Sequence, residues 1–309
     1  ISIILITICI IYLFIKKREQ SLILKQQKLE KVIEERTSEI QEKAKEVEHQ
    51  KHIVEEKQKE IIDSILYARR IQNALLATKT LLDKNLQNYF VYFNPKDIVS
   101  GDFYWATNQN NKFYLIIADS TGHGVPGAFM SLLNISYLNE AINEKQLQHP
   151  SEILNYIRNR LINSLAEDGS KDGGKDGMDC SLLCFDFENN SLEFACAYNP
   201  ILLIRNGELI EQTSDRMPVG NGHKNDVSFT NTKLTLQKGD IIYAFTDGYA
   251  DQFGGESGKK LKYKNFKNYI LQNTKLDLNQ QHQNLENSFN DWKGAIEQVD
   301  DVLVIGIKI

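Results

Sequence analysis

Hydrophobic and polar positions change rhythm twice along this chain. The first fifteen residues, ISIILITICIIYLFI, are apolar or nearly so and stop at Lys16-Lys17-Arg18. Fifteen residues of helix reach about 22 Å, short of the ~30 Å of a hydrocarbon core. The stretch therefore predicts a partial transmembrane helix over 1–15, the rest of the span preceding Ile1. The basic cluster then places the chain beyond it in the cytoplasm, as a single-pass protein of the cell inner membrane. From Glu19 to about Leu82 the chain holds no Pro and no Gly, and Ile33, Ile40, Val47, Val54, Ile61, Ala68, Leu75 and Leu82 recur every seven residues. The companion core position reads Arg36, Lys43, Gln50, Lys57 and Ser64 before Ile71 restores an apolar residue. A half-polar heptad seam predicts a coiled-coil signalling helix over 16–82, pairing two copies of the chain in a homodimer able to shift register.

Beyond Leu82 the rhythm becomes short β-rich runs bounded by Gly, Asn and Asp. These predict strands at 89–94, 103–107, 113–118, 181–187, 191–197, 201–205, 241–245 and 302–307, with helices at 127–143, 151–166 and 279–292. Strands arriving in hairpin-like pairs with helices between them indicate an α+β domain over 83–309, its antiparallel sheets covered by helices.

Charge separates the same two parts. Lys and Arg exceed Asp and Glu by 3 over residues 1–82 and fall short by 8 over 83–309. An acidic domain of this kind is a poor partner for nucleic acid, whose phosphates require a basic surface. The four cysteines, Cys9, Cys180, Cys184 and Cys196, form neither a disulfide framework nor a paired zinc pattern. The acids instead gather at strand ends: Asp102 in VSGDFYW, Asp119 in IIADSTGHGVPGAF, Asp247 in YAFTDGYADQF, and Asp300 and Asp301 in QVDDVLVIGI. Carboxylates held on rigid backbone without basic partners repel one another, and hard divalent cations are the usual remedy. Oxygen donors without a His/Cys cluster suit Mg²⁺ or Mn²⁺ better than zinc.

These four motifs, in this order, resemble the metal-dependent serine/threonine protein phosphatases, specifically their SpoIIE-like branch, over about residues 89–309. The resemblance implies a four-layer αββα sandwich of two antiparallel sheets flanked by helices, with two Mn²⁺ or Mg²⁺ ions at one edge. It implies that Asp119 bridges both ions, that Ser120 contributes its backbone carbonyl, that Asp247 and Asp300 complete the first ion's carboxylates, and that Asp102 lies near the second. Asp301 is either a further ligand or a structural neighbour. Leu303 stands where the family often has Thr or Ser. The implied chemistry is hydrolysis of phosphoserine or phosphothreonine by a water activated between the two metals, with His123 a candidate proton donor to the leaving alkoxide. No Arg matches the family's phosphate-binding residue, and Lys96 is the nearest basic candidate. The implied substrate is a phosphoprotein, a STAS-type anti-sigma-factor antagonist.

Four other readings compete. Gly122-His-Gly124-Val-Pro-Gly127 satisfies a dinucleotide fingerprint, yet no second strand ending in an acid follows at the required distance. The glycines better serve close passage of the chain beside Asp119. Residues 168–179 carry Asp168, Asp172 and Asp176 at intervals of four, unlike a calcium loop, and read as a solvated loop able to act as a flap, with Asp179 a structural residue at the strand entrance. A non-catalytic signalling scaffold that keeps the fold is the functional alternative. A histidine kinase would need phosphoacceptor and ATP-binding boxes that are not visible.

Overall fold

The computed structural model describes residues 2–166 and 176–309. These form two compact units, 1–64 and 65–309. The first is uninterrupted helix, part of α1 (Ser2–Leu75). The heptad residues Ile33, Ile40, Val47, Val54 and Ile61 are all exposed along it. Among the described residues no helix is long and apolar enough to cross a membrane. The expected transmembrane helix over 1–15, and the single-pass inner-membrane placement built on it, are therefore not upheld. Within the described residues the apolar run covers about 22 Å of helix before Lys16, Lys17, Arg18 and Glu19, less than the ~30 Å of a hydrocarbon core.

In the second unit α1 ends at Leu75, seven residues before the heptad pattern does. The Ala77 N–H leaves the helix to donate to the Tyr104 carbonyl. Thr78 then caps α2 (Lys79–Asn85) by accepting from the Leu81 N–H at 3.2 Å. Leu82, the last heptad residue, is consequently buried in the domain core rather than on a seam.

The remaining elements are β1 (Asn88–Asn94), β2 (Asp102–Gln109), β3 (Lys112–Ser120), α3 (Gly124–Asn139), α4 (Pro150–Ala166), β4 (Gly177–Asp186), β5 (Ser191–Ala197), β6 (Leu202–Arg205), β7 (Glu208–Glu211), β8 (Val219–Gly220), β9 (Thr232–Thr235), β10 (Ile241–Phe245), α5 (Gly248–Asp251), β11 (Phe253–Gly254), β12 (Lys259–Lys260), α6 (Tyr263–Asn273), α7 (Leu278–Lys293) and β13 (Val302–Lys308). One sheet runs β1-β13-β10-β6-β7 and the other β2-β3-β4-β5-β9, with β8 added beside β4. Every strand pair within both is antiparallel.

Alternation along the strands divides the interior into three cores. Tyr114, Ile116 and Ala118 turn toward Ile135, Leu138, Leu154 and Ile157 of α3 and α4. Phe113, Leu115 and Ile117 turn the other way, against Ile242, Ala244, Leu303 and Ile305 of the opposite sheet. Val302 and Val304, one residue out of phase with Leu303, meet Phe266, Leu285 and Phe289 of α6 and α7. Three cores separate four layers, the αββα sandwich that the resemblance implies. The expected strands at 191–197 and 241–245 coincide with β5 and β10, and the expected helix at 151–166 with all but the first residue of α4.

Candidate metal centre

The register of three neighbouring strands lines up three aspartates. Asp102 on β2 pairs with Asp119 on β3, and Asp119 pairs with Asp179 on β4. Residues directly opposite in adjacent strands point to one face, where like charges destabilise the sheet. Asp119 continues the face of Phe113, Leu115 and Ile117, so the row looks into the layer between the sheets, at its end. Across that layer, Asp247 follows β10 and Asp300 precedes β13, two paired strands of the other sheet.

A pocket of about 310 Å³ opens there, lined by Asp119, Ser120, His123, Asp179, Pro218 and Asp300 among others. Asp102 lies buried beneath it and accepts a 2.6 Å hydrogen bond from the Thr246 hydroxyl. Thr246 also accepts from the Leu303 N–H at 3.1 Å, so one hydroxyl ties the carboxylate of one sheet to the backbone of the other. Asp301 does something different from its neighbour. One of its oxygens accepts from the Lys96 N–H and the other from the Gly101 N–H, both at 2.8 Å. It thereby fastens the loop before Asp102 to the start of β13.

The turn after Asp119 is held by close backbone approach. Gly122 has φ +87°. A Cβ at Gly101 would sit 2.3 Å from the Gly122 carbonyl oxygen, and one at Gly127 would sit 2.0 Å from it. The glycines thus pack the chain beside the aspartates, the role expected for them in preference to a dinucleotide site. Helix α3 starts immediately afterwards with His123 at its N-cap and Pro126 in its first turn. The His123 Nδ1 is 3.0 Å from Asp97 Oδ2, and its Nε2 is 3.5 Å from the Lys96 ammonium.

The carboxylates disfavour their own charge. Burial, then the charge of Asp119, pushes Asp102 well above the ordinary carboxylate range, against the opposing Thr246 hydrogen bond. Burial likewise raises Asp119, followed by the charges of Asp247, Asp300 and Asp179. Asp179 is pushed up to about 7 by burial and by Asp247. Asp247 rises to about 6 through its enclosure and the charges of Asp251 and Asp300, although its side chain retains access to water. Asp300 rises by burial, with His123 and Lys96 pulling it back. Ion pairs in the neighbourhood join His123 to Asp97 and Lys260 to Asp251, and among the described residues none engages the five carboxylates of the cluster.

Among the described residues no three His, Cys, Asp or Glu side chains stand together closely enough to hold a metal ion. The donor set nevertheless fits a hard divalent cation. It is all oxygen, it carries excess negative charge, and Mg²⁺ characteristically keeps several waters while taking only one or two carboxylates. Asp119, Ser120, His123 and Asp300 of the expected residues line the pocket; Asp102 and Asp247 do not line it but interact with the Asp119 or Asp300 charge, and Asp301 is directed to backbone N–H groups. The expectation for Asp179 was structural, and its place in the aspartate row is the main addition. Within GMDCSLLCFD only the face of Asp179, shared with Leu183 and Phe185, follows from strand periodicity, and its neighbour Asp119 does not. Asp168 and Asp172 of the expected flap lie outside the described residues.

Comparison with known proteins places the chain in a family and agrees with the fold. Residues 109–309 match the family described as Stage II sporulation protein E (SpoIIE). The phosphoserine phosphatase RsbU of Bacillus subtilis is 23% identical over 201 residues, which cover 63% of this chain and 55% of RsbU. The chain thus spans about half the length of that curated relative. The SiaA-PP2C domain of Pseudomonas aeruginosa superposes with a TM-score of 0.73 at 28% identity, over 82% of this chain and 98% of that one. The catalytic domain of the serine/threonine phosphatase PstP, solved with two manganese ions, shares the fold with a TM-score of 0.50 at 18% identity, over 72% and 97% of the two chains.

Proposed function

Because this chain belongs to the SpoIIE family, we propose that it is a metal-dependent protein serine/threonine phosphatase of bacterial signal transduction. The observation that carries the reading is the row Asp102, Asp119 and Asp179 facing Asp247 and Asp300 across the end of the inter-sheet layer. A fold gains nothing from five mutually repelling carboxylates unless a cation offsets them. Asp119 lies in the row between Asp102 and Asp179, with Asp247 and Asp300 opposite, and these carboxylates would hold the ions, Asp119 serving both if two are bound. The Ser120 carbonyl adds a neutral oxygen. Mn²⁺ or Mg²⁺ bound there supplies Lewis acidity, lowering the pKa of a coordinated water and offsetting phosphoryl charge.

The protein's own groups do the rest. His123, held through Nδ1 by Asp97, stands at the pocket wall and delivers a proton to the departing serine oxygen. Lys96, beside it, contributes positive charge where the phosphate enters. Asp301 keeps the loop carrying Gly101 and Asp102 in place through its two backbone contacts. The substrate is a phosphoprotein, with a STAS-type anti-sigma-factor antagonist the leading class. The exposed heptad seam of α1 pairs with that of a second copy, giving a dimer.

The test is phosphate release from a phosphoserine peptide by the full chain with added Mn²⁺, beside Asp119→Asn. Release by the native protein, reduced about a thousandfold in the variant, is the expected outcome. No release at any Mn²⁺ or Mg²⁺ concentration would leave the non-catalytic scaffold as the better reading.

A further inference from the structure

A second cavity, of about 590 Å³, adjoins the carboxylate pocket, and Pro218 lines both. Its walls include Tyr198, Arg216, Met217, Pro218, His223 and Lys224. The segment that forms it is joined to the candidate centre by backbone: β8 pairs Gly177 with Gly220 and Met178 with Val219, one residue from Asp179.

The groove is built rather than draped. Arg158 of α4 lies beneath it, its guanidinium 3.7 Å from the Met217 sulfur, 3.4 Å from the Lys224 carbonyl and stacked over Phe229. Asn155, one turn earlier on α4, accepts from the Phe229 N–H at 3.1 Å. At the other end Asp215 accepts from the Thr230 N–H and hydroxyl, which occupies its carboxylate. Tyr198 is held at φ +55°, a conformation that non-glycine residues reach at a cost, by the Ser214 hydroxyl on its carbonyl and its own N–H on the Asp215 carbonyl. Its ring nevertheless stays exposed.

The charge of this groove runs against its surroundings. Residues 83–309 carry a net −8, and the adjoining pocket presents Asp119, Asp179 and Asp300. Here Arg216, His223 and Lys224 converge instead, all exposed. Among the described residues the side chains of Arg216 and Lys224 meet no carboxylate within ion-pair distance. Cations without a carboxylate partner among the described residues, beside an aromatic ring and a thioether, offer a surface for an extended peptide with acidic side chains.

We propose that this groove is the docking subsite for the peptide residues flanking the phosphoserine, and that Arg216 and Lys224 select acidic residues there. The inference rests on the phosphatase reading for the identity of the occupant. The ridge at Pro218 separates the two cavities, so one peptide can place its phosphoserine over the carboxylates and its neighbours in the groove.

The experiment uses the full chain with Mn²⁺ and two phosphoserine peptides of equal length, one flanked by Asp and Glu, the other by Lys and Arg. Their kcat/KM ratio is measured for the native protein, for Arg216→Gln/Lys224→Gln and for Arg216→Glu/Lys224→Glu. Binding of matched peptides carrying a non-hydrolysable phosphonate is followed by fluorescence anisotropy. We expect the native ratio to favour the acidic peptide, to fall about tenfold in the neutral variant through KM, and to reverse in the charge-swapped one. A gain for the basic peptide is an outcome that misfolding does not produce. A ratio unchanged by both variants, or a native protein without preference, overturns the groove assignment. If no peptide is hydrolysed but the anisotropy preferences follow the same pattern, the groove stands and the phosphatase reading falls.

Discussion

Replacing Asp179 by Asn isolates the cost of assembling the aspartate row. In the absence of divalent cations its carboxyl is raised from 3.8 to about 7 by burial and by Asp247, which corresponds to an upper bound of about 4 kcal/mol against the folded state at alkaline pH. The side chain keeps partial access to water, and an amide in the same place still loses hydration, so we expect Asp179→Asn to be more stable by about 1–2 kcal/mol at pH 8. The sign comes from proton uptake. With the folded pKa above the unfolded one, the native protein binds more protons folded than unfolded between about pH 4 and 7, and its stability rises as pH falls through that window. The advantage of the variant is therefore full above pH 7 and vanishes below about pH 4. Urea unfolding in excess EDTA at pH 8, 6 and 4 measures it directly. With Mn²⁺ present the order should reverse, because a ligand bound only by the folded state stabilises it by mass action and the variant offers it one oxygen donor fewer. A variant that is less stable than the native protein in EDTA at pH 8, or equally stabilised by Mn²⁺, would refute the argument that the row exists to hold cations.

Other parts of the structure carry three further expected outcomes. Gln72→Ala should cost about 1–3 kcal/mol in urea unfolding, because the buried Gln72 amide accepts from the Ser100 N–H and donates to the Ser100 carbonyl and the Ser131 hydroxyl. Gly127→Ala places a methyl 2.0 Å from the Gly122 carbonyl; about 2 kcal/mol of lost stability and reduced metal-dependent phosphate release are expected, read by urea unfolding and peptide hydrolysis. Ile40→Asp with Val47→Asp puts charges on the exposed seam and should convert a dimer to a monomer in light scattering while leaving the unfolding midpoint of the 65–309 unit in place; an unchanged mass would remove the seam as the dimer contact.

The patterns that were legible in the sequence are those written at short range. Continuous apolar runs in KFYLIIADS and VLVIGIK locate central strands, and the period-two turn of the strand distributes their side chains between two different cores. The heptad repeat locates the long helix but overshoots its end, since a period says nothing about which surface will cover a leucine. Leu82 keeps the repeat and leaves the helix because the inter-sheet core takes it, a tertiary contact overriding a local pattern. The same limitation hid Asp179. Its partner Asp119 lies 60 positions earlier, and nothing in either segment states that their strands will be neighbours in this register. The groove behind Pro218 depends on β8, only two residues long, which carries no periodicity to read.

The departure at Leu303 shows how such distant pairing changes the meaning of a motif. Read along the chain, an aliphatic residue after the Asp300-Asp301 pair looks like a missing hydroxyl next to the centre. In the fold, the Leu303 side chain is fully buried between the sheets, where a hydroxyl would need a partner that the surrounding Leu, Ile and Phe side chains do not offer. The hydroxyl beside the carboxylates comes from Thr246 instead, 57 residues earlier in sequence but paired through the Leu303 backbone, and it reaches Asp102 at 2.6 Å. A leucine at 303 and a threonine at 246 thus divide between them an apolar contact and a polar one, so the substitution leaves the candidate centre with its hydrogen bond intact.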